Sequence, residues 1–106
     1  MSESLLSEYL KLSKEYDRIL DLSQTLLSLL KQEDEEGIES VLEKKSNVAI
    51  NIQFLTEKLS NKNLSKEDQK DFHLIKKELE KIEEKAYKLL ELEKKVGFLF
   101  QEKYKK

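Results

Sequence analysis

The sequence predicts an all-α protein, an antiparallel three-helix bundle in which a helical hairpin is joined by a long third helix. Charged residues make up 40% and apolar residues 38% of the 106 residues, and there is no proline. This mixture is typical of long helices. Apolar residues recur in steps of three and four, and short polar links between such runs favour antiparallel neighbours. We expect a single domain, 1–106, with helices over about 4–31, 35–59 and 65–104.

The first predicted helix carries an unusually wide apolar face. A second row that includes Leu20 and Leu27 lies one position beyond the main seam. A face wider than a simple two-helix seam implies at least two neighbouring helices. We expect the two tyrosines of the seam to pack at the edge of the core with their hydroxyls in water. The seam consists of Leu5, Tyr9, Leu12, Tyr16, Ile19, Ser23, Leu26 and Leu30.

The second predicted helix begins after Asp34, whose side chain can accept hydrogen bonds from the free N–H groups of the next turn. Gly37 lies in that first turn, where glycine costs about 1 kcal/mol relative to alanine. The one charge in the seam is Lys45, for which two interpretations stand. In the first, the alkyl stem packs in the seam while the ammonium reaches water or a carboxylate. In the second, the charge sets the register of the helix against its neighbours. The seam is Ile38, Val41, Lys45, Val48, Ile52, Leu55 and Leu59.

The third predicted helix begins at a capping box formed by Ser65 and Asp68. Its length, about 40 residues or about 60 Å, exceeds that of the first or the second predicted helix. Gly97 is therefore the expected place for a kink or a change of role. The predicted apolar stripe is Phe72, Ile75, Leu79, Ile82, Ala86 and Leu89.

Composition argues against catalysis, cofactors and metals. The chain has no cysteine and one histidine, His73, so it lacks a thiol nucleophile and the ligands of a zinc site. Its two glycines cannot form a phosphate-binding loop. The net charge of −2 does not favour nucleic acid. No apolar run approaches the ~20 residues that span a bilayer, and no signal peptide is visible. We expect a cytoplasmic protein that is not an enzyme.

Binding to another protein is the function class that remains. Ile50 and Phe54 form an apolar pair on the side of the second helix opposite its seam. Apolar groups near the C-terminus point to more than one side of the third helix, so one neighbour cannot bury all of them. We expect them to form a cap of the core, a dimer seam, or a segment that binds a client or covers the client site. The candidate partner-binding residues are Ile50, Phe54, Val96, Phe98, Leu99, Phe100 and Tyr104.

The predicted hairpin resembles the flagellar type III export chaperones of the FlgN/FliT type. Those proteins have a leucine-rich first helix and a short acidic turn. Counted from the acidic residue that ends the turn, apolar residues follow at +4, +7 and +8 and a basic residue at +11. Here the pattern runs from Leu26 through Asp34 and continues with Ile38, Val41, Leu42 and Lys45. Gly37 and the two acidic residues after Asp34 differ from the family, which usually has an apolar residue at +1. The match is strongest over residues 20–59.

This resemblance implies a small cytosolic chaperone. Such a chaperone holds the C-terminal helical segment of a hook–filament junction or filament-cap subunit and presents it to the export apparatus. Some similar proteins dimerise, and in some a C-terminal helix covers the client site. We expect the client's amphipathic segment to lie between the second and third helices, against Ile50, Phe54, Phe98 and Phe100. One alternative is a coiled-coil or three-helix scaffold module without chaperone activity, and another is a self-associating coiled-coil component of the export apparatus itself.

Overall fold

The computed structural model describes residues 4–104, apart from the side chain of Tyr104, and this part of the chain is helical without strands. The all-α prediction is therefore confirmed. Four helices follow one another, and the predicted third helix is divided into a short and a long one. They are α1 (Leu5–Gln32), α2 (Glu35–Ser60), α3 (Lys66–Lys70) and α4 (Phe72–Tyr104).

The start of α1 is capped by two side chains that are far apart in the sequence. Ser4 is the N-cap residue, and its hydroxyl accepts a hydrogen bond from the Ser7 N–H at 3.2 Å. The carboxylate of Asp68 accepts a second one from the Leu5 N–H at 3.1 Å. Two of the backbone donors that a helix start leaves without partners are therefore satisfied.

The turn between α1 and α2 is as short as predicted. Glu33 follows α1 with a left-handed backbone (φ 58°), and Asp34 then caps α2 by accepting a hydrogen bond from the Gly37 N–H at 3.1 Å. A Cβ atom at position 37 would lie 2.6 Å from Oδ2 of Asp34 and 3.1 Å from Cδ2 of Leu29. The glycine therefore allows the capping carboxylate to approach the helix closely, a benefit that helix propensity does not show.

The region from Ser65 to α4 contains the predicted capping box and an unpredicted break. The Ser65 hydroxyl accepts from the Asp68 N–H, and the Asp68 carboxylate accepts from the Ser65 N–H, at 3.1 and 3.0 Å. The helix then ends at Asp71, whose N–H donates to the carbonyls of Glu67 and Asp68. The prediction of one helix over 65–104 is thus corrected at Asp71. By contrast, α4 continues without interruption through Gly97.

α1 is the central helix and packs against both α2 and α4. α2 runs antiparallel to α1, because its last turn lies beside the start of α1. α4 runs in the same direction as α1. Two apolar clusters, at opposite ends of the bundle, each take side chains from these three helices. The first contains Leu5, Leu12, Leu59, Ile75 and Ile82, and the second Leu26, Leu30, Ile38, Val41 and Val96.

Polar contacts join the helices between the two clusters. Lys45 of α2 pairs with Glu93 of α4, which also accepts a hydrogen bond from the Ser23 hydroxyl of α1 at 3.0 Å. The stem of Lys45 is nearly buried and its ammonium meets a carboxylate, as the packing interpretation of this residue predicts. Lys85 of α4 similarly donates to the Ser13 hydroxyl of α1 at 2.6 Å. These bonds tie α4 to the other two long helices.

The buried face of α4 differs from the predicted stripe. Phe72 and Leu79 are 55% and 38% exposed, whereas Glu78 is buried beside Ile75 and Ile82. The helix is therefore rotated relative to the predicted orientation, and charged residues take seam positions at Glu78 and Lys85. A pattern based on apolar residues alone cannot detect such a seam.

Candidate protein-binding surface

Ile50 and Phe54 are exposed on α2, at 60% and 67% of their surface. No helix within residues 4–104 covers them. Phe54 borders a groove between α1 and α2 with a volume of about 280 Å³, here called the Phe54 groove. Its other lining residues are Lys11, Lys14, Glu15, Asn51 and Leu55.

The C-terminal cluster divides between the core and the surface. Val96 is a buried member of the second apolar cluster, and Leu99 and Phe100 pack against it half-buried. Phe98, in contrast, is 62% exposed. Steps of three and four from Val96 keep Leu99 and Phe100 on the inner face of α4, while a step of two turns Phe98 outward. The predicted partner-binding side chain of Tyr104 lies outside the described residues.

Phe98 borders a second groove, between α1 and α4, with a volume of about 380 Å³. We call it the Phe98 groove. Its apolar wall consists of Leu27 from α1 and Phe98 and Leu99 from α4, and its rim carries three lysines. The lysines are Lys31, Lys94 and Lys95.

The three lysines on the rim of the Phe98 groove do not form ion pairs within residues 4–104. Lys45, Lys58, Lys62 and Lys85, elsewhere in the bundle, all pair with carboxylates. The groove therefore combines an apolar wall with three lysines that form no ion pair within the described residues.

The two grooves are separate sites. They meet α1 at positions about 16 residues apart, which corresponds to about 24 Å along the helix. Both lie beside α1, so the structure does not bring Phe54 and Phe98 together in one groove between the second and third predicted helices. Of the other predicted residues near the C-terminus, Leu99 lines the Phe98 groove, whereas Val96 and Phe100 belong to the packing of the second apolar cluster.

The apolar pattern of the sequence does not mark Leu27, Lys31, Lys94 or Lys95 as site residues. Leu27 was visible as part of the second apolar row of α1, but was expected to be covered. The lysines resemble any other cations on a charged helix face. Only the packing of α1 against α4 places them around Phe98.

Two buried carboxylates with lowered pKa values, Glu8 and Asp68, lie away from both grooves. Glu8 is 1% exposed, and its two oxygens pair with Lys58 and Lys62 at 2.9 Å each. Burial acts to raise the pKa of Glu8, but the hydrogen bonds and positive charges of Lys62 and Lys58 outweigh it and hold that pKa below its ordinary value. These contacts connect α1 to the end of α2, so the role of Glu8 is structural.

The pKa of Asp68 is also lowered. The hydrogen bond from the Ser65 backbone N–H is the main cause, burial opposes it, and the Ser65 hydroxyl and the Leu5 N–H add to the lowering. A carboxylate that accepts several donors is stabilised in its charged form. This charge serves the helix caps.

Residues 4–104 contain no group of three or more His, Cys, Asp or Glu side chains arranged to hold a metal ion. Among the same residues, no helix is both long and apolar enough to cross a membrane. No protein-family model, no curated protein and no solved structure shows a significant match to this chain.

Proposed function

We propose that this chain is a cytoplasmic, non-enzymatic chaperone that holds an amphipathic helical segment of an unassembled flagellar subunit for type III export. In this proposal α1, α2 and α4 act as an antiparallel three-helix bundle, in which α2 runs opposite to the other two helices. The client is a hook–filament junction or filament-cap type subunit. The bundle delivers its client to a component of the export apparatus.

The first support comes from the hairpin that resembles the FlgN/FliT type. Asp34 caps α2 as the pattern requires, and Ile38 and Val41 are buried against α1. Lys45, the basic residue at +11, reaches across to Glu93 of α4. Three of the residues that carry the resemblance, Ile38, Val41 and Lys45, thus pack or pair with neighbouring helices, whereas Leu42 is 40% exposed.

The observation that carries the proposal is the exposed Phe98 in an apolar groove. An aromatic side chain that is 62% exposed beside Leu27 and Leu99 offers unsatisfied apolar surface in a concave site. Amphipathic helices bind in such grooves by inserting a few apolar side chains. Aromatic anchors of this kind usually dominate the affinity of an interface.

Light scattering of the purified protein with C-terminal fragments of hook–filament junction and filament-cap subunits tests the proposal. We expect a stoichiometric complex with one of them. Phe98→Asp should weaken that complex by at least about tenfold, because a charge would replace the apolar anchor. The circular dichroism of the Phe98→Asp variant alone should match that of the wild-type protein, because Phe98 is outside the core.

Tyr87→Asp is the matched control for Phe98→Asp. Tyr87 is an exposed aromatic residue of the same helix, 74% exposed, and lines neither groove. The Tyr87→Asp variant should leave the complex intact. A Phe54→Asp variant tests whether the Phe54 groove also contacts the client. Failure of every flagellar fragment to bind would refute the proposal.

A second candidate function, a self-associating scaffold module, is favoured by a different surface. Phe72, Leu79 and Leu90 are exposed on α4, and their spacings of 7 and 11 residues place them on one side of that helix. Such a stripe is suited to contact with another helix. A stable elongated homo-oligomer that dissociates in Leu79→Asp and Leu90→Asp variants would favour the scaffold.

A further inference from the structure

We infer that the Phe98 groove selects an acidic amphipathic helix, in which apolar anchors are flanked by Asp or Glu. This inference rests on the proposed function for the existence of a helical client, and it adds the chemistry of that client. The occupant is a partner protein rather than a segment of this chain.

The charges around the groove carry the inference. Lys31 approaches from α1, while Lys94 and Lys95 approach from α4, so the rim is cationic on both sides. Along α4, Glu93 is bound to Lys45 and Ser23 and is therefore not available to neutralise them.

Two further carboxylates of α4 lie near the groove along the helix. Glu91 and Glu102 are exposed and do not line the groove. An incoming carboxylate would therefore meet unpaired ammonium groups, whereas an incoming lysine would meet like charge. Complementary charge at a rim determines partner choice and association rate more than affinity.

The apolar wall sets the second requirement. Leu27, Phe98 and Leu99 provide a surface for aliphatic or aromatic side chains but offer no hydrogen-bonding side chain to a polar anchor. A helix that places apolar residues at i, i+3 or i+4 and i+7 presents them on one face, with its acidic residues beside them. Such a helix matches both the wall and the rim.

The Phe54 groove does not have this arrangement of charges. Its lining carries both signs of charge, with Glu15 beside Lys11 and Lys14, whereas the charged residues that line the Phe98 groove are all lysines. A carboxylate at its edge reduces any preference for an acidic partner. The inference is therefore specific to the Phe98 groove.

Three synthetic peptides of about 18 residues, or five helical turns, test the inference by fluorescence anisotropy. The first has leucines on one face and glutamates beside them, and the second has lysines in place of the glutamates. The third keeps the composition of the first but distributes its leucines evenly around the helix. We expect the first to bind about tenfold more tightly than the second, and the third not to bind. Salt at about 0.5 M should reduce the difference.

Lys95→Glu should lower the affinity for the acidic peptide by about three- to tenfold and raise that for the basic one. Lys77→Glu is the matched control. Lys77 is an exposed lysine 18 residues earlier, on the same side of α4 but about 27 Å from the groove. It should change neither affinity.

The outcomes separate this inference from the proposed function. Equal binding of the acidic and basic peptides, abolished in both cases by Phe98→Asp, would overturn the charge preference and leave the groove as a client site. Absence of binding by all three peptides and by every flagellar fragment would overturn both. A homodimer that dissociates in Phe98→Asp would show that a second copy fills the groove, and would overturn the inferred partner.

Discussion

Asp68 accepts a hydrogen bond from the backbone N–H of Leu5 at 3.1 Å, and so joins the start of α1 to the start of α3. The same carboxylate closes the capping box with Ser65. A buried side chain therefore fixes the loop after α2 against the beginning of the chain's first helix. This contact lies at the end of the bundle where α4 begins to pack alongside α1, through Ile75 and Leu5 of the first apolar cluster.

Replacing Asp68 by alanine should destabilise the protein more than replacing Ser4, the other residue that caps α1. Ser4→Ala removes one exposed capping bond, a loss of about 1 kcal/mol. Asp68→Ala leaves two backbone donors of two different helix starts without their acceptor. Urea unfolding followed by circular dichroism measures both losses. Equal destabilisation by the two variants would contradict the expectation that losing two buried acceptor contacts costs more than losing one exposed cap.

Stability should decrease in acid because of Glu8 and Asp68. The pKa of each is lower in the folded state than in the unfolded chain. Between the two pKa values the unfolded state binds more protons, so the free energy of unfolding rises with pH. The contribution is fully present above the unfolded pKa values, near pH 4, and is lost as the pH falls through the folded ones.

Unfolding free energies measured from about pH 7 to about pH 3 test this dependence. The variant Glu8→Gln with Asp68→Asn should have a smaller slope below about pH 5, because its side chains at these positions no longer titrate. Glu57→Gln with Glu67→Gln is the matched control, since both of these carboxylates are exposed. An unchanged slope in the first variant would contradict the assignment.

The two glycines should respond differently to alanine. A Cβ atom at Gly97 meets nothing within 4 Å, so Gly97→Ala should gain the helix propensity of alanine, about 0.5–1 kcal/mol. At Gly37 the Cβ would lie 2.6 Å from Oδ2 of Asp34, and the capping side chain would have to move. Gly37→Ala should therefore gain less than Gly97→Ala, or lose stability.

Thermal unfolding compares the two glycine variants directly. The variant Gly37→Ala with Asp34→Ala provides the control, because without the capping carboxylate the 2.6 Å contact is absent and only the 3.1 Å contact with Leu29 remains. The Gly37→Ala change should be more favourable in that background than in the wild-type chain. A larger gain from Gly37→Ala than from Gly97→Ala would refute the interpretation.

The apolar pattern predicted the hairpin well. The first two helices begin and end within about two residues of their predicted bounds, since apolar residues fill their seams and Asp34 marks the start of α2. The seam residues Leu5, Leu26 and Ile38 are buried as expected.

The pattern failed where charged groups are buried. Glu8 and Glu78 lie inside the bundle, and Lys85 holds a seam position of α4 by bonding to Ser13. These side chains are invisible to a search for apolar periodicity, and as a result Phe72 and Leu79 were assigned to the core. The Phe98 groove depends on that same rotation of α4 against α1, so its lysines could not be found from the sequence.

Unfolding free energies can test whether Val96 belongs to the core and Phe98 to the surface. Val96 is 4% exposed and Phe98 is 62% exposed, although they are two residues apart on one helix. Val96→Ala should cost about 1–2.5 kcal/mol, because it removes buried methyl groups and leaves a cavity in the second apolar cluster. Phe98→Ala should change the free energy of unfolding by less than about 0.5 kcal/mol, as is usual for a surface position. Urea unfolding of the two variants at one pH makes the comparison, and a large loss in Phe98→Ala would place that ring in the core and remove the anchor from the groove.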